Sequence, residues 1–431
     1  MRGSGFASEI FMRGWRQVWV LVAAVAGCRV PATAPPPREV TPTVARESPD
    51  LPLTQPTPPQ LDGRGLPRPE PRTATGPPGH SFRRLREAEC LRLAAANSAP
   101  ADALGEENRV PSAPGDCDAA TDQLRQTLRY HAALELRNRA AADALDRFFQ
   151  LADAEARADL LRQSLPIADD LHDRARRAKA AGVRFPLAPA DVQRRWSELA
   201  SQLDRAELGS RLLDVDLKRR VGLPYEPADQ RLWPAGDFAI DPTPADPAEA
   251  ANAALADRPE LRGLRALYHG LTVETLPDAR DYLKAANSLL GGGRPPLPLR
   301  RLNRVLARRD TGPTAEQVAE LEVRRKQLLN LVTAREREVA DEARAAALAL
   351  NAQAERVAAA RDRLRVREEE LAEAVKKREA NQRGAELEEA QARLDVLAAR
   401  GEVAAEVAAW HQARVKLRAA QGWLAWEAVP K

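Results

Sequence analysis

Few side chains in this 431-residue sequence are spaced for chemistry, and the clearest of them is a thiol. Arg13 and Arg16 precede an apolar run, Val18 to Ala26, that closes on Val25-Ala26-Gly27-Cys28. About ten apolar residues are too few to cross a hydrocarbon core roughly 30 Å thick, so residues 1–27 read as a signal peptide, with Met12 a tidier start. The closing residues resemble a lipobox, in which small side chains admit signal peptidase and the Cys28 sulfur accepts diacylglycerol. Cys28 then becomes the first residue of the mature chain and its lipid anchor. Its neighbour Arg29 is not an acidic retention signal, which points to the outer membrane.

Two thiols remain, Cys90 and Cys117. In an oxidising compartment they could form a disulfide, and closing a loop of that length would contribute about 3 kcal/mol. The competing reading keeps Cys90 as a small core residue and Cys117 free in a loop. His80, His131, His172, His269 and His411 are scattered, without His-Glu-x-x-His or Cys/His pairing at metal spacing, and read as solvated helix or loop residues. Gly291-Gly292-Gly293 lacks the Gly-Lys-Ser/Thr ending of a phosphate loop and reads as a linker. The sequence thus offers no catalytic constellation, metal site or cofactor, and an enzyme is not expected.

The elements that carry these residues are legible from composition. Aromatics make up 4% of the chain and charged residues 30%, so apolar surface must be buried as narrow stripes on long helices. The net charge of +4 comes from Lys and Arg interleaved with Asp and Glu, the pattern of solvated helix faces laced with ion pairs. No nucleic-acid partner is expected.

Residues 28–80, with Pro35-Pro36-Pro37 and many further prolines, read as a disordered or polyproline tether behind the lipidated cysteine. From Ser81 to Asn97, Phe82, Leu85, Cys90, Leu93 and Ala94 fall near one face of a short amphipathic helix. A long helix is expected from about Ala119 to Ala181, crossed only by Pro166; Gly182, Pro186 and Pro189 end it, and Asp191 could cap a return helix to Val221. Together, 81–223 form a first helical-hairpin repeat and 224–247 a Pro-rich linker. The second repeat, 248–428, holds a shorter helical region to about 290, a long helix from Thr314 to Arg383 and a return helix beyond Gly384. Val357, Leu364 and Leu371, seven apart, with Ala360, Ala374 and Val375 beside them, mark a coiled-coil seam. Trp410, Trp423 and Trp426 read as core packing against the first short helix rather than as an interfacial anchor.

The two halves echo each other. Leu217-Lys-Arg-Arg-Val-Gly222-Leu matches Leu417-Arg-Ala-Ala-Gln-Gly422-Trp in spacing, and Gly182 and Gly384 hold similar places between paired helices, which suggests a duplicated hairpin. This layout resembles the TolC-like outer membrane efflux protein family. Gly182 with Ala190-Asp191-Val192-Gln193 is similar to its first hairpin tip, and Gly384 with Ala390-Gln391-Ala392-Arg393-Leu394 to its second. Arg219-Arg220-Val221-Gly222-Leu223-Pro224 resembles a helix end, and Arg258-Pro259-Glu260-Leu261-Arg262 the opening of the second repeat.

The resemblance implies an all-α body of long antiparallel coiled-coil hairpins in two pseudo-repeats, assembled as a homotrimer. It also implies tips at Gly182, Asp191, Val192 and Gly384 that dock a periplasmic adaptor serving an inner membrane transporter. The family adds two membrane strands per repeat, each needing about ten alternating residues. Here Ser98 to Asp118 is short and holds Pro100, Pro111 and Pro114; Gly291 to Pro313 carries Arg294, Arg300, Arg301, Arg304, Arg308 and Arg309. The β-barrel strands are therefore expected to be missing. The expected function is an outer membrane efflux lipoprotein, an oligomeric conduit or docking piece with a passive path; the alternative is a non-transporting periplasmic coiled-coil lipoprotein.

Overall fold

A computed structural model describes residues 81–110, 119–182, 187–224, 230–236, 238–287, 290, 313–382 and 384–427. Cys28, the signal peptide, the tether and Cys117 lie outside these residues. The body is an all-α assembly of long helices. Strand β1 (Ser81–Arg86) leads into helices α1 (Glu87–Ala96), α2 (Ala99–Glu107), α3 (Ala119–Ala180) and α4 (Pro189–Arg220). Strand β2 (Gln230–Ala235) then leads into α5 (Pro247–Asp257), α6 (Pro259–His269), α7 (Leu276–Ala286), α8 (Ala315–Glu379), α9 (Ala385–Ala420) and α10 (Trp423–Glu427). Each half thus runs from a strand through short helices to a long hairpin.

The strands correct two expectations. Ser81 to Arg86 is not the start of an amphipathic helix, which begins at Glu87, and the segment expected as a plain linker carries β2. β1 and β2 pair in parallel, with Ser81 opposite Gln230 and Arg86 opposite Ala235. Leu85 is still buried, as the helical reading required, because one buried face suits either element over six residues. Phe82 meets the Trp233 ring edge-on at 5.2 Å. Among the described residues there is no further strand, and at the first expected insertion point Ala99–Glu107 forms α2. No described helix is long and apolar enough to cross a membrane.

Helix boundaries follow local chemistry. Asp191 does not cap α4: Pro189 in its first turn sets the helical φ, Ala188 is the N-cap, and the Asp191 carboxylate pairs with Arg194 instead. Asp246 caps α5 by accepting from the Ala248 N–H at 2.8 Å. Thr314 and Gln317 form a capping box ahead of α8: Thr314 Oγ1 accepts from the Gln317 N–H at 3.3 Å, and Gln317 Oε1 accepts from the Thr314 N–H at 2.9 Å.

The helix ends also repeat. After α4, Gly222 adopts φ +72 and the Leu223 N–H reaches back to the Lys218 carbonyl at 2.9 Å, a Schellman closure. After α9, Gly422 adopts φ +78. Each end is held from outside by an asparagine, Asn97 Nδ2 donating to the Val221 carbonyl at 2.8 Å and Asn138 Nδ2 to the Ala419 carbonyl at 2.9 Å. A Cβ on Gly222 would stand 2.6 Å from Asn97 Cγ. Gly222→Ala is therefore expected to cost about 1 to 3 kcal/mol from the left-handed backbone alone, more with the clash, read as a lower urea midpoint. An unchanged midpoint would refute this account of the turn.

The contacts divide the chain into two compact units. One comprises residues 103–133 and 259–338 among those described, where Leu124, Leu264, Leu267, Leu276, Leu283, Leu328 and Val332 form the core. Arginine–carboxylate pairs cross between its helices, Arg125 to Asp278 at 2.9 Å and Arg335 to Glu260 at 2.6 Å among them. Half-buried His131 faces Gly263 here, and burial, then the Arg262 charge, holds its imidazole below the usual value near 6.5. The unfolded chain therefore binds the proton more readily, so this contribution is present above about pH 6.5 and is lost as pH falls through the lowered folded value. Comparing melting temperatures at pH 7.5 and about 5.5, His131→Gln should lose less stability than the parent on acidification; an equal loss would remove His131 as a cause.

The second unit, residues 81–102, 134–258 and 339–427 among those described, holds an aromatic nucleus that composition did not foretell. Phe148 and Phe149 are fully buried, Phe238 packs on both, and His411 stacks on Phe149 at 4.7 Å. His411, 1% exposed, is thus not a solvated residue as expected. Its ring serves as a flat, nearly parallel partner for Phe149. Trp410 is buried beside it and α10 packs against α1, as read from the sequence, whereas Trp423, expected in the core with it, is 38% exposed. Glu87 on α1 accepts from Arg414 and Arg418 at 2.6 and 3.0 Å. Trp426 and Trp423 donate to the Asp257 carbonyl and carboxylate at 3.2 Å each.

Candidate functional site

The hairpin tips are where the sequence placed its candidate site, and the residues there are brought together unequally. Gly182 ends α3 with φ +66, and Gly384 precedes α9 with φ +88; neither would crowd a neighbour with a Cβ, so the backbone turn alone asks for glycine. Asn381 takes the left-handed position after α8, where the Asn381 and Gln382 N–H groups close on the Arg378 and Lys377 carbonyls at 2.8 and 3.1 Å. Val192 is buried, packing with Leu171, Ala175 and Leu394 and with the partly buried Ile167, Leu387 and Ala390. Asp191 is exposed at the rim.

Beside Val192 the first tip opens into a cavity of about 120 Å³ between the end of α3, the start of α4 and the start of α9. Leu171, Leu187, Val192, Trp196 and Leu394 line it, with Asp191, Arg195 and Gln391 at polar positions. Trp196 is fixed on two sides. Its ring stacks on His172 at 6.0 Å, and its indole N–H donates to the Asp169 carboxylate. Sequence reading missed Trp196, although it follows Val192 by four residues on the same helix face. Arg195 donates to Gln391 Oε1 at 2.5 Å and lies 3.6 Å from Asp395, tying α4 to α9. Arg174 pairs with Asp170 at 2.8 Å and with Glu386; the Asp170 hydrogen bond is the main reason its guanidinium holds its proton more firmly than usual.

The second tip is closed by charge. Glu389, nearly fully buried, pairs with Arg378 at 2.9 Å across the turn and with Arg393 at 2.6 Å along α9, and Lys377 pairs with Glu388 at 3.0 Å. Elsewhere, Cys90 is a free thiol, wholly buried, and burial pushes its pKa far up; its candidate partner Cys117 lies outside the described residues. Among the described residues no group of three His, Cys, Asp or Glu side chains is arranged to hold a metal ion.

No family model matches the sequence, and no curated protein matches it. Solved structures do. The outer membrane channel MtrE of Neisseria gonorrhoeae shares 10% identity at a TM-score of 0.52, over 78% of this chain and 89% of that one. The Campylobacter jejuni outer membrane channel CmeC shares 11% at 0.50, over 78% and 85%, and the outer-membrane channel OprN 14% at 0.50, over 78% and 90%. These three are channels and not enzymes. The chain has the fold of the TolC-like outer membrane channels.

Proposed function

We propose that the protein is an efflux component of the outer membrane, anchored through Cys28 and built as a homotrimeric periplasmic conduit. An adaptor docks at the Gly182, Asp191, Val192 and Gly384 tips, and an inner membrane transporter supplies the energy. The observation that carries this reading is a pair of unpartnered seams. On α4, Leu208, Leu212 and Val215, at steps of four and three, stand 58%, 62% and 44% exposed, opposite the face that buries Ser210, Asp214 and Leu217. On α8, Ala345, Leu348, Ala352, Ala359 and Val366 fall at heptad positions of an exposed face, while Leu350 and Val357 fill the buried one.

Helices that each present a second apolar seam need a second partner. One seam carries branched knobs and the other mostly alanines, so seating α4 of one copy on α8 of the next is a head-to-tail contact, which closes into a ring when the rotation between copies completes a circle. The passive path would run through the ring. Support for the competing reading, a tethered coiled coil without transport, comes from α2, a helix at the first expected strand position.

Light scattering on size-exclusion peaks of detergent extracts decides between them. A trimer, with oxidised Leu212→Cys plus Leu348→Cys protein forming a cross-linked ladder that ends at three, is the expected result. A monomer with no ladder would sink the conduit and leave the tethered coiled coil.

A further inference from the structure

The two open seams lie on helices that run in opposite directions. Val192 near the start of α4 packs with Leu171 near the end of α3 and Leu394 near the start of α9, so both hairpins turn at the same end. Helix α4 therefore leads away from that end and α8 leads toward it. In a ring whose axis follows the helices every copy points the same way, and α4 of one copy meets α8 of the next antiparallel. Each open face keeps its heptad step beyond the apolar residues. On α4 it reads Arg205, Leu208, Leu212, Val215 and Arg219, and on α8 Asp341, Ala345, Leu348, Ala352 and Glu355, all exposed.

Laid antiparallel with Leu212 on Leu348, Leu208 falls on Ala352 and Val215 on Ala345, and the ends meet as Arg205 on Glu355 and Arg219 on Asp341. A slip of one heptad sets Leu212 on Glu355 in one direction and on Asp341 in the other, a leucine pressed on a carboxylate. Within one copy Arg205 bonds only the Ser201 hydroxyl, at 3.1 Å, and Glu355 has no ion-pair partner among the described residues. Arg219 and Asp341 already hold Asp216 at 2.6 Å and Arg344 at 2.9 Å, so the Arg205 end carries the choice. Toward the tip the fit ends, because Glu198 would fall on Asp362, which Arg365 offsets only at 3.5 Å. Gly209, inside α4 beside the seam, would meet nothing within 4 Å with a Cβ added, so no neighbour in its own copy asks for glycine there. In this register it lies against Ala349, and two minimal side chains let the helices close. We propose that copies join in this one register, over residues 205–219 of α4 and 341–355 of α8. The carboxylates that bound the α8 seam bar the slipped alternatives, and Arg205 with Glu355 of the next copy forms the ion pair that selects it. This rests on the α4–α8 contact of the conduit reading, and it adds the contact's register, its selectivity and its limit toward the tips.

Light scattering of the full chain in detergent, followed down in protein concentration, reads the assembly, and urea midpoints read the single copy. Arg205→Glu and Glu355→Arg should each raise the concentration at which the assembly dissociates at least about tenfold, since each sets like charges at every contact of the ring. Joined in one chain they restore the pair with its signs exchanged, and should return that concentration to within about threefold of the parent. Gly209→Leu should also disassemble the chain while its urea midpoint stays at or above the parent's, because leucine forms helix more readily than glycine. Oxidised Leu208→Cys plus Ala352→Cys should cross-link neighbouring copies, and Leu208→Cys plus Ala359→Cys, one heptad away, should not. Singles that the double does not rescue, a lowered midpoint in either single, a Gly209→Leu chain that assembles like the parent, or cross-linking through the Ala359 position instead would each overturn the register while the conduit stands. A parent chain that is monomeric at every concentration overturns the conduit as well.

Discussion

Leu212→Glu is expected to abolish assembly of the full chain while leaving its helix content and unfolding midpoint almost unchanged. Leu212 is 62% exposed in the single copy, so little apolar burial is lost within it, and glutamate forms helix about as readily as leucine. In a ring the same position would sit in the α8 seam against alanines such as Ala345 and Ala352. Burying an unpaired carboxylate costs far more than such a contact contributes, so each interface in the ring fails together. Val357→Glu is the internal control. Val357 is fully buried on the opposite, occupied face of α8, and a charge there should lower stability by more than about 4 kcal/mol. Circular dichroism and light scattering separate the two effects. A Leu212→Glu protein that still assembles would exclude the α4 seam as the contact between copies.

That contrast shows what the sequence could and could not give. The occupied seam was readable because Val357, Ala360 and Ala374 keep a heptad step and are buried, with Leu364, Leu371 and Val375 half-buried beside them. Helix ends were readable too, because the left-handed turns at Gly182, Gly222, Gly384 and Gly422 leave glycine as a local mark. The strands were not. β1 owes its form to β2, far along the chain, and a six-residue segment with arginines at 83, 84 and 86 around Leu85 carries no decisive period of its own. Asp191 misled for a different reason: two local start signals competed, and the proline ring, which fixes φ outright, set the boundary ahead of the carboxylate. The cavity at the first tip was half legible. Val192 and Leu394 were singled out within their segments, but Leu171, Leu187 and Trp196 join them only once three helices converge. The open seams were legible as apolar residues but not as exposed ones, since only the structure tells which of two apolar faces is already covered.

Arg231→Ala is expected to cost about 3 to 5 kcal/mol, the largest loss from a single polar substitution in this unit. The Arg231 guanidinium, on β2, donates to the Glu155 carboxylate of α3 and to Ser210 Oγ of α4 at 2.7 Å, and lies 5.7 Å from the centre of the Phe82 ring on β1. One side chain therefore joins four elements. Glu155 is only 2% exposed, so deleting the arginine removes a cation and a hydrogen bond from a buried carboxylate, which cannot recover water without opening the packing around it. The neighbouring edge of β2 is held the same way, the Leu232 N–H donating to Asp214 at 2.6 Å while Lys218 pairs with Asp214 at 2.8 Å and donates to the Gln230 carbonyl. These side chains do for a two-stranded sheet what further strands would otherwise do, since an isolated pair is marginal in water. The double variant Arg231→Met with Glu155→Leu removes both charges and keeps the bulk, and should recover most of the loss. Urea midpoints of the two singles and the double close the cycle: additive losses would mean that the strand pair is held by its backbone and apolar faces, whereas recovery in the double assigns the cost to the charge left behind.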